Sequence, residues 1–130
     1  MNWRKIHIYA IVVLVAQMTI GFLEGFFSPA TTVVSDAEMT GWFTLSNVAS
    51  LIACAAIFAH MATRQKSRPF LHASLSLVIY IAISLAMYAV VWLFLENLHI
   101  VFLFSQWVTL FVATFAGVAI GKTIARKGTV

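Results

Sequence analysis

No lysine or arginine occurs between Lys5 and Arg64, and none between Arg68 and Lys122. Charged side chains make up only 9% of the 130 residues, against 62% hydrophobic ones, which excludes a soluble domain of this size. Cys54 is the single cysteine, so no intramolecular disulfide can form and the redox compartment is not encoded. The two prolines, Pro29 and Pro69, fall at the ends of apolar runs. Carboxylates are limited to Glu24, Asp36, Glu38 and Glu96. A catalytic acid/base pair would therefore have to combine Glu24 with Glu96 or His99. There is no G-x-S-x-G, no HExxH and no phosphate-cradling glycine loop. A non-enzymatic protein without a cofactor is the expectation.

What the chain does contain is four long apolar runs, over 6–27, 41–63, 70–95 and 99–120. Each approaches or exceeds the roughly 20 residues needed to cross about 30 Å of hydrocarbon. With no water to satisfy exposed peptide groups, all four must be helices. The expected fold is an all-α polytopic membrane protein, an antiparallel four-helix transmembrane bundle forming one domain over 1–130. Arg4 and Lys5 precede the first run; Arg64, Lys66 and Arg68 join the second to the third; Lys122, Arg126 and Lys127 follow the fourth. All four carboxylates lie at the opposite ends. The positive-inside rule puts both termini and the basic connection in the cytoplasm, most simply across a bacterial inner membrane. The net charge of +4 thus meets anionic headgroups rather than nucleic acid. The first run follows a basic segment as a signal peptide would, but it ends in Glu24 without a small-residue cleavage motif, so it is expected to be retained.

Small and polar residues recur along these spans at helical spacing. Gln17, Gly21, Glu24 and Gly25 share one face of the first span and include a GxxxG. Such a face serves either packing within the monomer or a partner. Glu24 is the only carboxylate inside a span, about one turn, roughly 5 Å, from its end. There it either reaches headgroups or acts in cation coupling or partner recognition. In the fourth span Ser105, Thr109, Ala113, Gly117 and Gly121 recur at fours, with Gln106 alongside. This groove serves a close crossing inside the bundle, a dimer seam or a partner helix. The second span carries Ser46, Ser50 and Cys54 beside Asn47, and the third Ser76, Tyr80, Ser84 and Tyr88. Together these residues give a mildly polar interior, as hydrogen-bonded packing or as a small hydrated cavity.

Trp3, Trp42 and Trp92 fall at span ends, where indoles anchor at headgroup level. Trp107 is about two turns inside the fourth span, a packing or partner-facing position. His7, His60 and His72 come from three spans at one level, but without local ligand spacing they are expected to be satisfied by water or headgroups, with no metal bound. The segment 28–40, carrying Asp36 and Glu38, is expected to be the one sizeable connection outside the spans.

In size, span count and lack of a catalytic motif, the whole chain resembles membrane-embedded bacteriocin and toxin immunity proteins. That resemblance implies a protector that binds a membrane protein or toxin through helix faces. Small multidrug resistance transporters are comparable in length but carry a glutamate in the middle of the first helix, where this chain has Val13, Leu14 and Gln17. The expected partners are the lipid bilayer and either another membrane protein or further copies of the chain. The function follows as accessory subunit or immunity-type protector; alternatively, a small homo-oligomeric transporter or channel has Glu24, Gln17 and Asn47 in a polar path.

Overall fold

The computed structural model describes residues 2–27, 36–65, 67–93 and 100–127, with the backbone alone over 36–39 and 100–102. The described residues form four helices: α1 Trp3–Phe27, α2 Asp36–Arg64, α3 Pro69–Trp92 and α4 Ile100–Lys127. All four are long and apolar enough to cross a membrane.

Helix and span boundaries differ because hydropathy marks hydrocarbon, whereas a helix continues while its backbone and termini are satisfied. α1 starts at Trp3 rather than position 6, with Asn2 as its cap: the Asn2 side-chain oxygen accepts the Lys5 backbone N–H at 3.3 Å. α2 begins at Asp36, so the expected 28–40 connection is cut back to 28–35, which lies outside the described residues. Asp36 and Glu38 thus fall in the first turn of α2. α3 begins with Pro69 at its first turn, preceded by Arg68 in the left-handed conformation (φ 49°), and ends at Trp92 rather than 95. α4 runs seven residues beyond 120, and Arg126 and Lys127 in its last turn suit the helix dipole. Gly121, one residue beyond the expected run, is a buried residue inside this helix. Glu96 and His99, and with them any catalytic pairing to Glu24, lie outside the described residues.

The most extensive contact is between α2 and α4. The Thr109 hydroxyl meets the Asn47 side-chain oxygen at 3.0 Å, a pair 62 residues apart in sequence. Gly117 against Ala55 and Gly121 against Ala59 keep the same offset. A constant offset means that α2 and α4 lie side by side in one direction, with residues at spacings of four meeting on both helices. α1 packs on α2 and α3, and the single Ser76 hydroxyl proton of α3 is shared between the His72 carbonyl of its own helix at 2.9 Å and the Ile6 carbonyl of α1 at 3.1 Å. Ser76 is wholly buried. Ser76→Ala is expected to destabilise the fold by about 1 kcal/mol in a thermal or SDS titration, the scale of one intramembrane hydrogen bond. No change would mean that Ile6 and Ser76 are held by packing alone.

The core lies toward one end. Val13, Phe58, Met61, Leu77, Leu110 and Val118, from all four helices, belong to one buried cluster. They sit in the half that carries the basic residues, here the basic end. That end is also tied by stacked Phe70 and Phe115, 6.0 Å between ring centroids, with the Lys122 ammonium 5.1 Å above the Phe70 ring. Toward the acidic end the bundle opens. Among the described residues, no side chain of 18–27, 40–49, 81–93 or 103–109 is buried.

Candidate functional site

Gln17 stands at the boundary between the closed and open halves. It is 7% exposed and touches two other helices through its side-chain amide. Its nitrogen donates to the Cys54 sulfur at 3.2 Å, while its oxygen accepts the Ser50 hydroxyl at 2.9 Å and the Gln106 amide at 3.0 Å. One side chain thus joins α1, α2 and α4. Such a clasp suits lipid, where a polar group without a partner is costly and an amide both donates and accepts. The sequence singles out Gln17 and Gln106 but does not pair them; Cys54 also serves as a hydrogen-bond acceptor.

Asn47 makes a second link. Its nitrogen donates to the Phe43 carbonyl at 2.8 Å, while its oxygen and the Ser105 carbonyl share the Thr109 hydroxyl proton, each at 3.0 Å. Asn47, Ser105 and Thr109 line a cleft of 290 Å³ between α2 and α4 in the open half. Further along α4, Ala113, Gly117 and Gly121 are buried. A β-carbon at Gly117 would strike the Ala55 carbonyl oxygen and lie 3.0 Å from the Ala55 α-carbon; one at Gly121 would strike the Ala59 carbonyl oxygen and lie 2.8 Å from the Ala62 β-carbon. The deep part of the α4 groove is therefore filled by α2 of the same chain and is not open to a partner.

The α1 stripe divides. Gln17 is buried and Glu24 half-buried, but Gly21 and Gly25 are exposed, and a β-carbon at either would have nothing within 4 Å. The expected use of this GxxxG for packing inside the monomer is thus not what the fold does. The reason is geometric: at 3.6 residues per turn a step of seven drifts by only about 20°, whereas each step of four rotates by about 40° in the opposite sense. Glu24 consequently stays with Gln17 on the α2-facing side, while Gly21 and Gly25 turn outward beside Phe22 and Phe26, which are 70% and 71% exposed.

Glu24 faces a cleft of 210 Å³ between α1 and α2, together with Leu23, Phe27, Trp42 and Ser46. Trp42, expected as a headgroup anchor, is a half-buried wall of this cleft, whereas Trp3 and Trp92 are exposed. Trp107 is half-buried, and its indole nitrogen is buried without a hydrogen-bond partner among the described residues.

The histidines share a level without forming a centre. His7 is exposed and bonds the Trp3 carbonyl of its own helix at 2.8 Å, and His60 is exposed. His72, expected at the headgroups, is buried in the first turn of α3. Its Nδ1 donates to the Arg68 carbonyl at 3.0 Å, leaving Nε2 to accept the Gln65 amide at 3.3 Å. Pro69 fixes this arrangement by starting α3 one residue after the left-handed Arg68, which places the Arg68 carbonyl one turn before His72. Among the described residues no three His, Cys, Asp or Glu side chains are grouped to hold a metal ion.

Comparison with known proteins supplies no assignment: no family model, curated protein or solved structure matches the chain.

Proposed function

We propose that this chain is a single-domain antiparallel bundle of a bacterial inner membrane, with both termini in the cytoplasm, that acts without catalysis through helix contacts. It serves as an accessory subunit or immunity-type protector of another membrane protein. The observation that carries this reading is the asymmetry of the bundle: a four-helix core closes it toward the basic end, whereas among the described residues its acidic end, 18–27, 40–49, 81–93 and 103–109, has no buried side chain. At that open end, α1 presents Gly21 and Gly25 with nothing among the described residues within 4 Å of an added β-carbon. Small residues on a lipid-facing helix allow close backbone approach by another helix, which is how helices associate in a membrane that offers no hydrophobic driving force between them.

The transporter reading draws support from Glu24 beside a cleft. Its other supposed path residues, Gln17 and Asn47, are engaged in bonds that hold the helices together.

A gentle-detergent or nanodisc pull-down of the tagged chain, with mass spectrometry and native mass of the assembly, separates the two. The expected result is a stoichiometric foreign membrane protein. Gly21→Leu and Gly25→Leu should each remove most of it without lowering the thermal midpoint of the bundle, because nothing among the described residues lies within 4 Å of a β-carbon at either position. A homo-oligomer without a foreign partner would overturn the proposal in favour of transport. Partner retention in both variants would remove α1 as the docking face.

A further inference from the structure

Lys122 differs from the other basic residues in its surroundings. Among the described residues every other lysine or arginine is exposed, whereas Lys122 is half-buried. It stands five residues, about 7.5 Å, inside the end of α4, with its ammonium 5.1 Å from the centre of the Phe70 ring of α3. A ring face attracts a cation, but it lacks the lone pairs that the three ammonium hydrogens need. Among the described residues Lys122 makes no hydrogen bond or ion pair. The side-chain carboxylates are remote. Glu24 is at the acidic end of α1, and Asp36 lies about 34 Å along α2 from Ala59, the residue against which Gly121 packs. A cation set into the bundle near a membrane boundary, with no carboxylate of the chain at its level, is favoured by an anion from the leaflet it faces.

The surface beside the ammonium identifies the kind of anion. Phe111, Phe115 and Lys122 fall within about 40° of one another around α4. Phe115 stacks on Phe70 at 6.0 Å and meets Phe111 at 4.7 Å, so three exposed rings continue from Lys122 along the outer side of α3 and α4. From Lys122 to Phe111 is about 16 Å along the helix, close to the roughly 15 Å of hydrocarbon in one leaflet. A soluble phosphate or an acidic peptide would meet the charge and leave the rings uncovered, whereas a phospholipid uses both. A zwitterionic headgroup carries its own ammonium, which Lys122 repels together with Arg68, exposed at the N-cap of α3 two residues before Phe70. An anionic headgroup carries no such charge.

We propose that the basic ends of α3 and α4 hold one anionic phospholipid, with its phosphate on the Lys122 ammonium and an acyl chain along Phe70, Phe115 and Phe111. Basic span ends attract anionic headgroups in general; here a single lipid is bound at one place and stays with the chain in detergent. The inference is independent of what docks on Gly21 and Gly25: lipid is counted on the isolated chain, and the partner by pull-down.

The test is native mass spectrometry of the full chain in dodecyl maltoside, titrated with dioleoyl phosphatidylglycerol or dioleoyl phosphatidylcholine. The expected result is a first phosphatidylglycerol bound at least about tenfold more tightly than phosphatidylcholine. Lys122→Gln should weaken it about fivefold, whereas Lys127→Gln, in the exposed last turn of the same helix, should change it less than about twofold. Glycerophosphoglycerol, which has the headgroup without acyl chains, should not displace it. Both variants are checked for an unaltered thermal midpoint, and the comparison of the two lipids on the parent chain still tests the site if Lys122→Gln does not fold. Equal binding of the two lipids, parental affinity in a folded Lys122→Gln, equal losses in the two lysine variants, or displacement by glycerophosphoglycerol would each overturn the proposal, the last by making the site one for a free phosphodiester.

Discussion

Gly117→Leu and Gly121→Leu are expected to abolish the folded bundle, and even Gly117→Ala to destabilise it by about 2 kcal/mol. A helical glycine-to-alanine change ordinarily gains up to about 1 kcal/mol from propensity. At Gly117 the added carbon meets the backbone of Ala55, and at Gly121 it meets the Ala59 backbone and the Ala62 side chain. Backbone cannot rotate away as the tip of a flexible side chain can, so α4 has to move off α2 along the most extensive interface of the fold. Loss of the whole interface approaches the total stability of a domain, about 5–15 kcal/mol. Gly21→Ala and Gly25→Ala provide the opposite sign in the same protein: with nothing within 4 Å of the new carbon, each should be neutral or stabilising. Thermal unfolding followed by circular dichroism in dodecyl maltoside separates the two pairs. A Gly117→Ala midpoint at or above that of the parent would show that α2 and α4 do not approach as described.

Gln17→Leu should cost about 2 kcal/mol although Leu is close to it in size and better suited to lipid. The change removes one partner each from Ser50, Cys54 and Gln106 and leaves them at a level where little else can bond them. The loss exceeds the usual intramembrane hydrogen bond, about 0.6 kcal/mol on average, because one oxygen serves two donors. Adding Gln106→Leu should recover part of it, since replacing both members of a pair leaves fewer stranded polar groups than replacing one. SDS titration of the single and double variants measures this coupling. Additive losses would mean that Gln17 and Gln106 do not share a bond in the membrane.

The two predictions differ in how far the sequence anticipates them. The row of Ser105, Thr109, Ala113, Gly117 and Gly121 is visible as a surface made for close approach, but its occupant is not. A small-residue groove has the same spacing whether it receives a helix of its own chain or of another. The same holds for Gly21 and Gly25, where an expected packing face turned out to be open. Gln17 was legible as a polar residue on the α2-facing side of α1, whereas its three partners, 33, 37 and 89 residues away, were not. His72 and Ser76 gave less warning still: one bonds across a turn of its own chain and the other to a backbone carbonyl, neither of which leaves a side-chain pattern.

The sequence by itself determined the class of molecule, because both deciding terms are local. Four runs of apolar residues require helices wherever water is absent, and the placement of eight basic residues at one set of ends sets the expected orientation. Tertiary structure alone decided which faces those helices spend on one another. In lipid the outside of a helix is as apolar as its inside, so hydrophobicity does not mark the core, and the choice falls to steric fit and to a few hydrogen bonds between distant residues. That choice closed the basic end around α2 and α4, placed the Gln17 clasp at its edge, and at the other end left Glu24 and Trp42 half-buried beside a cleft and the glycines of α1 exposed.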